Sequence, residues 1–320
     1  MSRLSFVLRR IGMGLFTIFF AVTVTFLLLR LLPGDPALAI ASPNMTEETR
    51  VALLQQYGLD KPLFVQYVIY LGQLLQGNFG TSFTQSIPVM NVLLQRLPWT
   101  LLLTFTALTI TVLIGVPLGV LAASRRGKLA DKVVQVIGVT GQSLFVPSIG
   151  VLLLFVFGLM LGWLPIGGAY SSDSYGMDWY GSVAAHLILP AVSLMLIQLG
   201  SYVLTMRSTL IDALQEDYVT LAKANGLPYR RILWRHALRN ALLPTTTLIG
   251  LQLGFLVGGA VLTETVFAYP GIGRGIYEAV TQLDFPVLQG AFLLLAVTVV
   301  VANMVTDIIY GFLDPRVRTS

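Results

Sequence analysis

The sequence predicts an all-α membrane protein with six transmembrane helices and with both termini in the cytoplasm. Composition is the first observation, because 55% of the 320 residues are hydrophobic and only 11% are charged. Soluble domains carry roughly 25% charged residues. The second observation is a set of long runs without charge, and the third is the uneven placement of Lys and Arg along the chain.

Six runs without charge are long enough to cross a hydrocarbon core of ~30 Å. These runs are Ile11–Leu29, Leu97–Ser124, Val133–Ser172, Trp179–Met206, Asn240–Thr263 and Phe285–Thr306. None of them alternates as the strands of a membrane barrel would, so helices are the remaining way to span a bilayer. The third run is too long for one crossing and is expected to hold a helix plus part of a loop.

The orientation follows from the 20 Lys and Arg residues, fifteen of which lie on one predicted side, either between spans or at a terminus. They are Arg3, Arg9, Arg10, Arg125, Arg126, Lys128, Lys132, Arg207, Lys223, Arg230, Arg231, Arg235, Arg239, Arg316 and Arg318. Basic residues accumulate on the cytoplasmic side of membrane proteins, so this side is predicted to be cytoplasmic. The net charge of +5 therefore reflects topology and does not indicate nucleic-acid binding.

Residues 1–32 are predicted to form the N-terminal transmembrane helix. A basic start and an apolar run are also typical of a signal peptide, and Ala37-Leu38-Ala39 could be its cleavage site. The apolar run is longer than the 7–15 residues of a signal core, however. We therefore expect the helix to be retained.

Residues 33–96 are predicted to form an extracytoplasmic helical segment. Asn44 to Glu47 has the form of a capping box for a helix that ends at Gly58. A second helix is expected to start after Pro62 and to stop at Gly77. Two interpretations stay open for the segment, a lid on the membrane face or a platform for a solute-binding protein.

Residues 97–320 are predicted to form a five-helix core. Its third and fourth apolar runs carry Gln142, Ser143 and Gln198, uncharged polar residues that are unfavourable against lipid. We expect these three residues to line a pathway. In the fifth run Gly250, Gly254 and Gly258 recur every four residues and favour a close contact with another helix.

The longest polar stretch between two apolar runs is residues 216–244, within a predicted cytoplasmic loop at 207–240. It is expected to form two short helices. Asp217 is predicted to cap the first, Asn225 and Gly226 to end it, and Pro228 to open the second. Pro244 stands where the next apolar run begins.

One face of the first short helix is predicted to dock against another surface. Tyr218, Leu221, Ala222 and Asn225 are three or four residues apart and share that face. A helix of about nine residues is only ~13.5 Å long and is marginal by itself in water. Arg231, Arg235 and Arg239 form a basic stripe behind it, for which acidic protein residues and lipid headgroups are both open partners.

No pattern in the sequence indicates catalysis, a metal or a nucleotide. The chain has two histidines and no cysteine, and it lacks the metalloprotease, serine-hydrolase and P-loop motifs. The predicted spans also lack the mid-membrane acids that ion-coupled carriers use. We therefore expect that the chain is not an enzyme and that the energy for any transport comes from a partner.

Several motifs resemble one family. Thr220-Leu221-Ala222 followed three residues later by Gly226 resembles the EAA motif of inner-membrane permease subunits from binding-protein-dependent ATP-binding-cassette (ABC) importers. Thr220 stands where the family has Glu, and fourteen residues instead of nine separate Gly226 from Ala241. This longer form, with the segment His236 to Pro244, is similar to the dipeptide and oligopeptide branch.

The resemblance implies a type I ABC importer permease fold in the cell inner membrane. It implies docking to an ATPase through residues 216–244, by Asp217, Tyr218, Thr220, Leu221, Ala222, Asn225, Gly226, Arg231 and Arg235. The implied partners are a second homologous permease, two ATPase subunits or domains that bind ATP and Mg²⁺, an extracytoplasmic solute-binding protein and membrane lipid. The chain itself is expected to hold no cofactor.

The resemblance also implies a di- or oligopeptide as the solute. Nickel chelates, glutathione and other small solutes remain alternatives, because similar permeases carry them. A secondary transporter that works without partners is the rival class. Transport by the chain alone in liposomes, without nucleotide, would favour that rival.

Overall fold

The computed structural model describes the backbone of residues 3–31, 60–255 and 260–313. The predicted helix between Asn44 and Gly58, and Gly258 in the fifth run, lie outside the described residues. Within the described ranges the chain is helical, apart from loops and one isolated bridge between Thr81 and Pro88. The prediction of an all-α protein is confirmed.

The helices follow one another in the order of the predicted apolar runs. We number them α1 (Arg3–Leu31), α2 (Leu63–Leu75), α3 (Val89–Ser124), α4 (Leu129–Ser143), α5 (Val146–Leu153), α6 (Met177–Ala213), α7 (Asp217–Ala224), α8 (Tyr229–Arg231), α9 (Leu238–Phe255), α10 (Val261–Val266), α11 (Ile272–Thr281) and α12 (Phe285–Leu313). Two π-helical stretches extend α5 and join α8 to α9, at Leu154–Met160 and Ile232–Ala237 respectively.

Four described helices are long and apolar enough to cross a membrane, namely α1, α3, α6 and α12. A fifth crossing is possible if α4 and α5 with its π-helical extension count as one span, although they bend by 104° at their junction. The predicted number of six is not confirmed. The region predicted as the fifth span is α9, which is followed by four residues outside the described ranges.

Two helices differ from the predicted runs. Helix α3 begins at Val89, before the predicted run Leu97–Ser124, so Pro98 lies inside the helix. The third run contains the predicted loop after Met160, but its helical part is a bent pair, α4 and α5 with its π-helical extension. Leu144 and Phe145 adopt extended backbone angles between α4 and α5. Pro147 in the first turn of α5 is compatible with a new helix there, because that turn needs no backbone donor.

The described structure divides into two compact units, residues 1–100 with 270–320 and residues 101–269. In the first unit Asp284 precedes α12 and accepts hydrogen bonds from the Ser82 and Thr84 hydroxyls, at 2.5 and 2.9 Å. Arg96 of α3 forms an ion pair of 2.6 Å with Glu278 of α11. The start of α2 after Pro62 and the positive φ of Gly77 confirm the predicted second helix of the 33–96 segment.

The second unit is organised around α6, against which α4 and the last turns of α3 pack closely. A Cβ atom at Gly200 of α6 would lie 2.1 Å from the carbonyl oxygen of Gly138 in α4. A Cβ atom at Gly141 would lie 2.7 Å from the Leu196 carbonyl oxygen. Small residues allow such close approach in membranes, where lipid provides no hydrophobic drive for helices to associate.

We predict that Gly200→Ala destabilises the protein, because the added methyl group meets the Gly138 carbonyl. Overpacking of this kind costs roughly 1–3 kcal/mol. Thermal unfolding of the detergent-solubilised protein measures the effect as a lower Tm. Gly181→Ala is the matched control on the same helix, since a Cβ atom at Gly181 has no neighbour within 4 Å. Equal Tm values for the two variants would contradict the observed packing.

Candidate functional site

The candidate site is the α7 hairpin, which consists of α7, the turn from Asn225 to Pro228, and α8. The chain is extended at Glu216, the residue that precedes the helix, and no side chain there makes a capping hydrogen bond. Asp217 is the first helical residue, so its predicted role as the cap is wrong. An acidic side chain in the first turn still stabilises the helix, through its favourable interaction with the positive end of the helix dipole.

The end of α7 is a Schellman motif centred on Gly226. Gly226 has a φ of +73°, and its N–H donates to the carbonyl oxygen of Lys223 at 2.9 Å. The N–H of Leu227 donates to the carbonyl oxygen of Ala222 at 3.2 Å. These two bonds satisfy carbonyls that a helix end leaves free, and glycine adopts the required backbone without strain. The predicted stop at Asn225 and Gly226 is confirmed.

One face of α7 packs into a core that we name the hairpin cluster. This cluster consists of Val120, Ala123, Met206, Leu210, Ile211, Ala213, Val219, Ala222, Ile232, Leu233, Ala237 and Ala241. Its members come from α3, α6, α7, α9 and the π-helical stretch between α8 and α9. The hairpin is therefore attached to the ends of three long helices by buried apolar contact.

The predicted docking face of α7 is partly buried and partly exposed. Ala222 is only 7% exposed and Val219 is fully buried, both in the hairpin cluster. The Tyr218 side chain is half-buried against the same cluster. Leu221 is 64% exposed and Asn225 is also exposed. The predicted four-residue stripe is wrong in this respect, because the ends of the chain's own long helices cover half of it.

On the outward side of α7 the apolar side chain of Leu221 is exposed beside smaller or polar residues. Asp217, Thr220 and Ala224 are exposed on the same side as Leu221. Exposed leucines are common on protein surfaces and mean little when isolated. Here Leu221 stands on a short helix whose opposite face is held in place, so its position is determined by the hairpin cluster.

The second helix of the hairpin is not a short separate helix as predicted. Its α8 turn continues through the π-helical stretch into α9 without a break. Pro244 lies inside α9 instead of at the start of a new segment. Prolines are tolerated in spanning helices when neighbouring groups adjust to the lost backbone donor. Arg231 and Arg235 are both exposed, as is Arg239.

The predicted pathway residues lie in the second unit on α4 and α6. Gln142 and Ser143 are exposed at the end of α4, next to the bend before α5. The Gln142 amide donates to the Ser201 hydroxyl of α6 at 3.3 Å. Gln198 is half-buried one turn earlier in α6, and its carbonyl oxygen has no hydrogen-bond partner among the described residues. Their role in a pathway stays a prediction.

Sequence reasoning missed an ion pair close to the hairpin. The Arg207 guanidinium of α6 donates to both carboxylate oxygens of Asp131 in α4, at 2.5 and 2.9 Å. Asp131 is 2% exposed. The signal in the sequence is weak but present, because Asp131 is the only acidic residue between Asp60 and Asp173 and stands beside four basic residues. Its partner is 76 positions away and could not be identified from spacing.

Comparison with known families covers almost the whole chain. Residues 115–319 match the family described as "Binding-protein-dependent transport system inner membrane component". Residues 3–104 match the model of the corresponding N-terminal region, "Binding-prot-dependent transport system membrane comp, N-term".

Curated relatives are similar over their full length. The chain is 40% identical over 332 residues to the di/tripeptide transport system permease protein DppB of Pseudomonas aeruginosa, and 36% identical over 335 residues to the dipeptide transport system permease protein DppB of Escherichia coli K12. It is 38% identical over 316 residues to the glutathione transport system permease protein GsiC of Salmonella typhi. Each match covers 98% of this chain and 99% of the relative.

A solved structure has the same fold. The inward-facing MetNI methionine ABC transporter contains a chain that matches with a TM-score of 0.54 and 19% sequence identity. The match covers 70% of this chain and 97% of that one. At this identity the likeness concerns the fold, which is that of an ABC importer permease.

The two faces of α7 predict losses of stability of very different size when glutamate is introduced. Ala222→Glu places a charge in the hairpin cluster and should destabilise the protein by several kcal/mol. Leu221→Glu changes an exposed side chain and should change stability by about 0.5 kcal/mol or less. Thermal unfolding of the solubilised chain compares them. A Tm for Ala222→Glu equal to that of the parent would contradict the burial of Ala222.

Proposed function

The chain belongs to the family of binding-protein-dependent transport system inner membrane components, and from this premise we propose that it is the permease subunit of an ATP-driven importer of di- and oligopeptides. It is a multi-pass protein of the inner membrane. In this proposal it forms half of the translocation pathway. A second, homologous permease forms the other half.

The α7 hairpin is the observation that supports this function best. A short helix presents Leu221 outward, while its opposite face is buried among residues of α3, α6 and α9. The Thr209 hydroxyl of α6 also donates to the Ala241 carbonyl oxygen of α9 at 3.0 Å. A partner that binds the outward side therefore acts on several long helices together, as a rigid-body movement requires.

The partner that binds this side is proposed to be an ABC ATPase, present as two subunits or domains that bind ATP and Mg²⁺. A short amphipathic helix is suited to lie in a groove of such a partner. Asp217, Thr220, Leu221, Asn225 and Gly226 would contact it directly. Tyr218 and Ala222 would act from within the hairpin cluster, and exposed Arg231 and Arg235 would approach acidic residues of the ATPase.

The solute is proposed to be a small peptide delivered by an extracytoplasmic solute-binding protein. Two of the relatives carry di- or tripeptide transport in their names, and a third carries glutathione, which is itself a small peptide. Transport would occur by alternating access between the two permeases. Gln142, Ser143 and Gln198 are the residues proposed to line the pathway, with Gln142 and Ser143 at the exposed surface.

We predict that Leu221→Glu uncouples the assembled complex. A charge on the outward side of α7 would oppose an apolar contact with the ATPase, so solute-stimulated ATP hydrolysis should fall about ten-fold or more. Hydrolysis by the purified complex in nanodiscs, with binding protein and dipeptide, measures this. Leu129→Glu is the matched control, because Leu129, the first residue of α4, is a leucine with 77% exposure. Equal stimulation in both variants would refute the docking assignment.

A second prediction concerns the solute. Proteoliposomes with the complete complex should take up a labelled dipeptide when ATP is inside, and unlabelled di- and tripeptides should compete for uptake. Free amino acids and nickel chelates should compete at least about ten-fold less well, since they lack the peptide groups that the pathway and binding protein recognise. Stronger competition by nickel chelates would assign the complex to that class. Uptake by the chain alone without nucleotide would indicate a secondary transporter.

A further inference from the structure

We propose that the Asp131–Arg207 ion pair is a positioning contact that makes α4 move together with the α7 hairpin. The inference deepens the proposed function and rests on it, since it assumes that an ATPase displaces the hairpin. Asp131 and Arg207 touch neither solute nor nucleotide in this scheme. They determine whether a displacement of α7 reaches Gln142 and Ser143, the polar residues at the far end of α4.

The ion pair has the geometry of a specific contact. Arg207 Nε and Nη2 reach the two oxygens of one carboxylate, which is the bidentate arrangement that lysine cannot reproduce. The same oxygens accept hydrogen bonds from the backbone N–H of Gly127 and from the Gln135 amide, both at 2.9 Å. Each oxygen of Asp131 therefore accepts two hydrogen bonds. The carboxylate is buried but fully satisfied.

Apolar packing joins α4 to α6 through Val134, which lies in a cluster with Met195, Leu199 and Val203, and the ion pair adds a connection at the hairpin. The hairpin cluster contains residues of α3, α6, α7, α9 and the π-helical stretch, and α4 contributes none of them. Arg207 follows Met206 directly and precedes Leu210 by one turn, and both of these belong to the hairpin cluster. Through Arg207 the carboxylate of α4 is thus bound to the same turns of α6 that hold the hairpin.

Farther along the two helices, backbone contact maintains the connection. Gly138 and Gly200 bring α4 and α6 together so closely that no side chain fits between them. Gly141 contacts the Leu196 carbonyl, and Gln142 bonds to Ser201. With the ion pair at one end and these contacts toward the other, α4 and α6 form one body over most of α4. A displacement at Arg207 is transmitted to the bend before α5.

Two simpler roles account for less of the geometry. A basic residue that only orients the chain in the membrane needs no partner. A buried ion pair that serves stability alone contributes little net free energy, because desolvation of both charges offsets their attraction. Four hydrogen bonds converging on one buried carboxylate at the junction of the α3–α4 turn and α6 are better explained by a requirement for fixed relative position.

The absence of cysteine in the sequence allows a direct test of the rigid connection. Spin labels at Lys132→Cys in α4 and Asp212→Cys in α6 use two exposed positions that leave the ion pair intact. Pulsed electron resonance on the complete complex, with and without ATP, reports the distance between them. We expect one narrow distance that is the same in both states, and a broader distribution once Asp131→Asn is added. A distance that changes with nucleotide in the parent chain would overturn the proposal, whatever the variants do.

Transport assays test whether the ion pair is needed to couple ATP hydrolysis to transport. Asp131→Asn and Arg207→Met should lower the peptide transported per ATP hydrolysed by about ten-fold, the coupling expected of a close charged pair. ATP hydrolysis itself should fall much less, because the outward side of α7 is unchanged. Arg207→Lys keeps the charge but not the bidentate geometry, so it should recover transport only in part.

Lys132→Gln is the control, since it removes an exposed charge from the residue next to Asp131 and leaves the ion pair and the four hydrogen bonds to Asp131 in place. It should transport nearly as well per ATP as the parent. If Asp131→Asn also retains the parent ratio of transport to hydrolysis, the ion pair has no positioning role. That outcome differs from a failure of the proposed function, in which Leu221→Glu would leave stimulated hydrolysis unchanged and the parent complex would couple no transport to ATP.

Discussion

The close contact of α4 with α6 is the constraint on which the second unit depends. In a bilayer, two apolar helices gain little from association, because lipid solvates their side chains as well as protein does. Gly138, Gly141 and Gly200 replace that missing drive with direct backbone contact. The Asp131–Arg207 pair holds one end of the same contact. Helices α5, α9 and α10 of the same unit also contact α6.

The α7 hairpin illustrates how a marginal helix becomes a rigid element. Eight residues cannot maintain a helix alone, so α7 buries Val219 and Ala222 against the ends of longer helices and closes with a Schellman motif at Gly226. What remains exposed is a small surface around Leu221. In the proposed function, the buried half of α7 belongs to the chain's own core and the exposed half would contact the ATPase.

The sequence predicted the helical class, the long spans and the polar stretch at 216–244 because these depend on local composition and periodicity. It predicted the stop at Gly226 for the same reason, since a helix end is a local event. It could not divide Tyr218, Leu221, Ala222 and Asn225 between an inner and an outer face. Packing against residues of α3, α6 and α9 decides that division. Because these residues are distant in sequence, the pattern of residues within α7 does not reveal which of its side chains they cover.

The sequence by itself determined that this chain is an integral membrane protein that lacks the motifs of an enzyme, since apolar runs and missing motifs are properties of the residues alone. Its motifs also indicated the permease family that the comparisons show. Only the tertiary structure decided that α4 and α5 bend by 104°, that Ala222 is buried, and that Asp131 meets Arg207. The physical reason is that each of these results from packing or charge pairing between segments far apart in sequence.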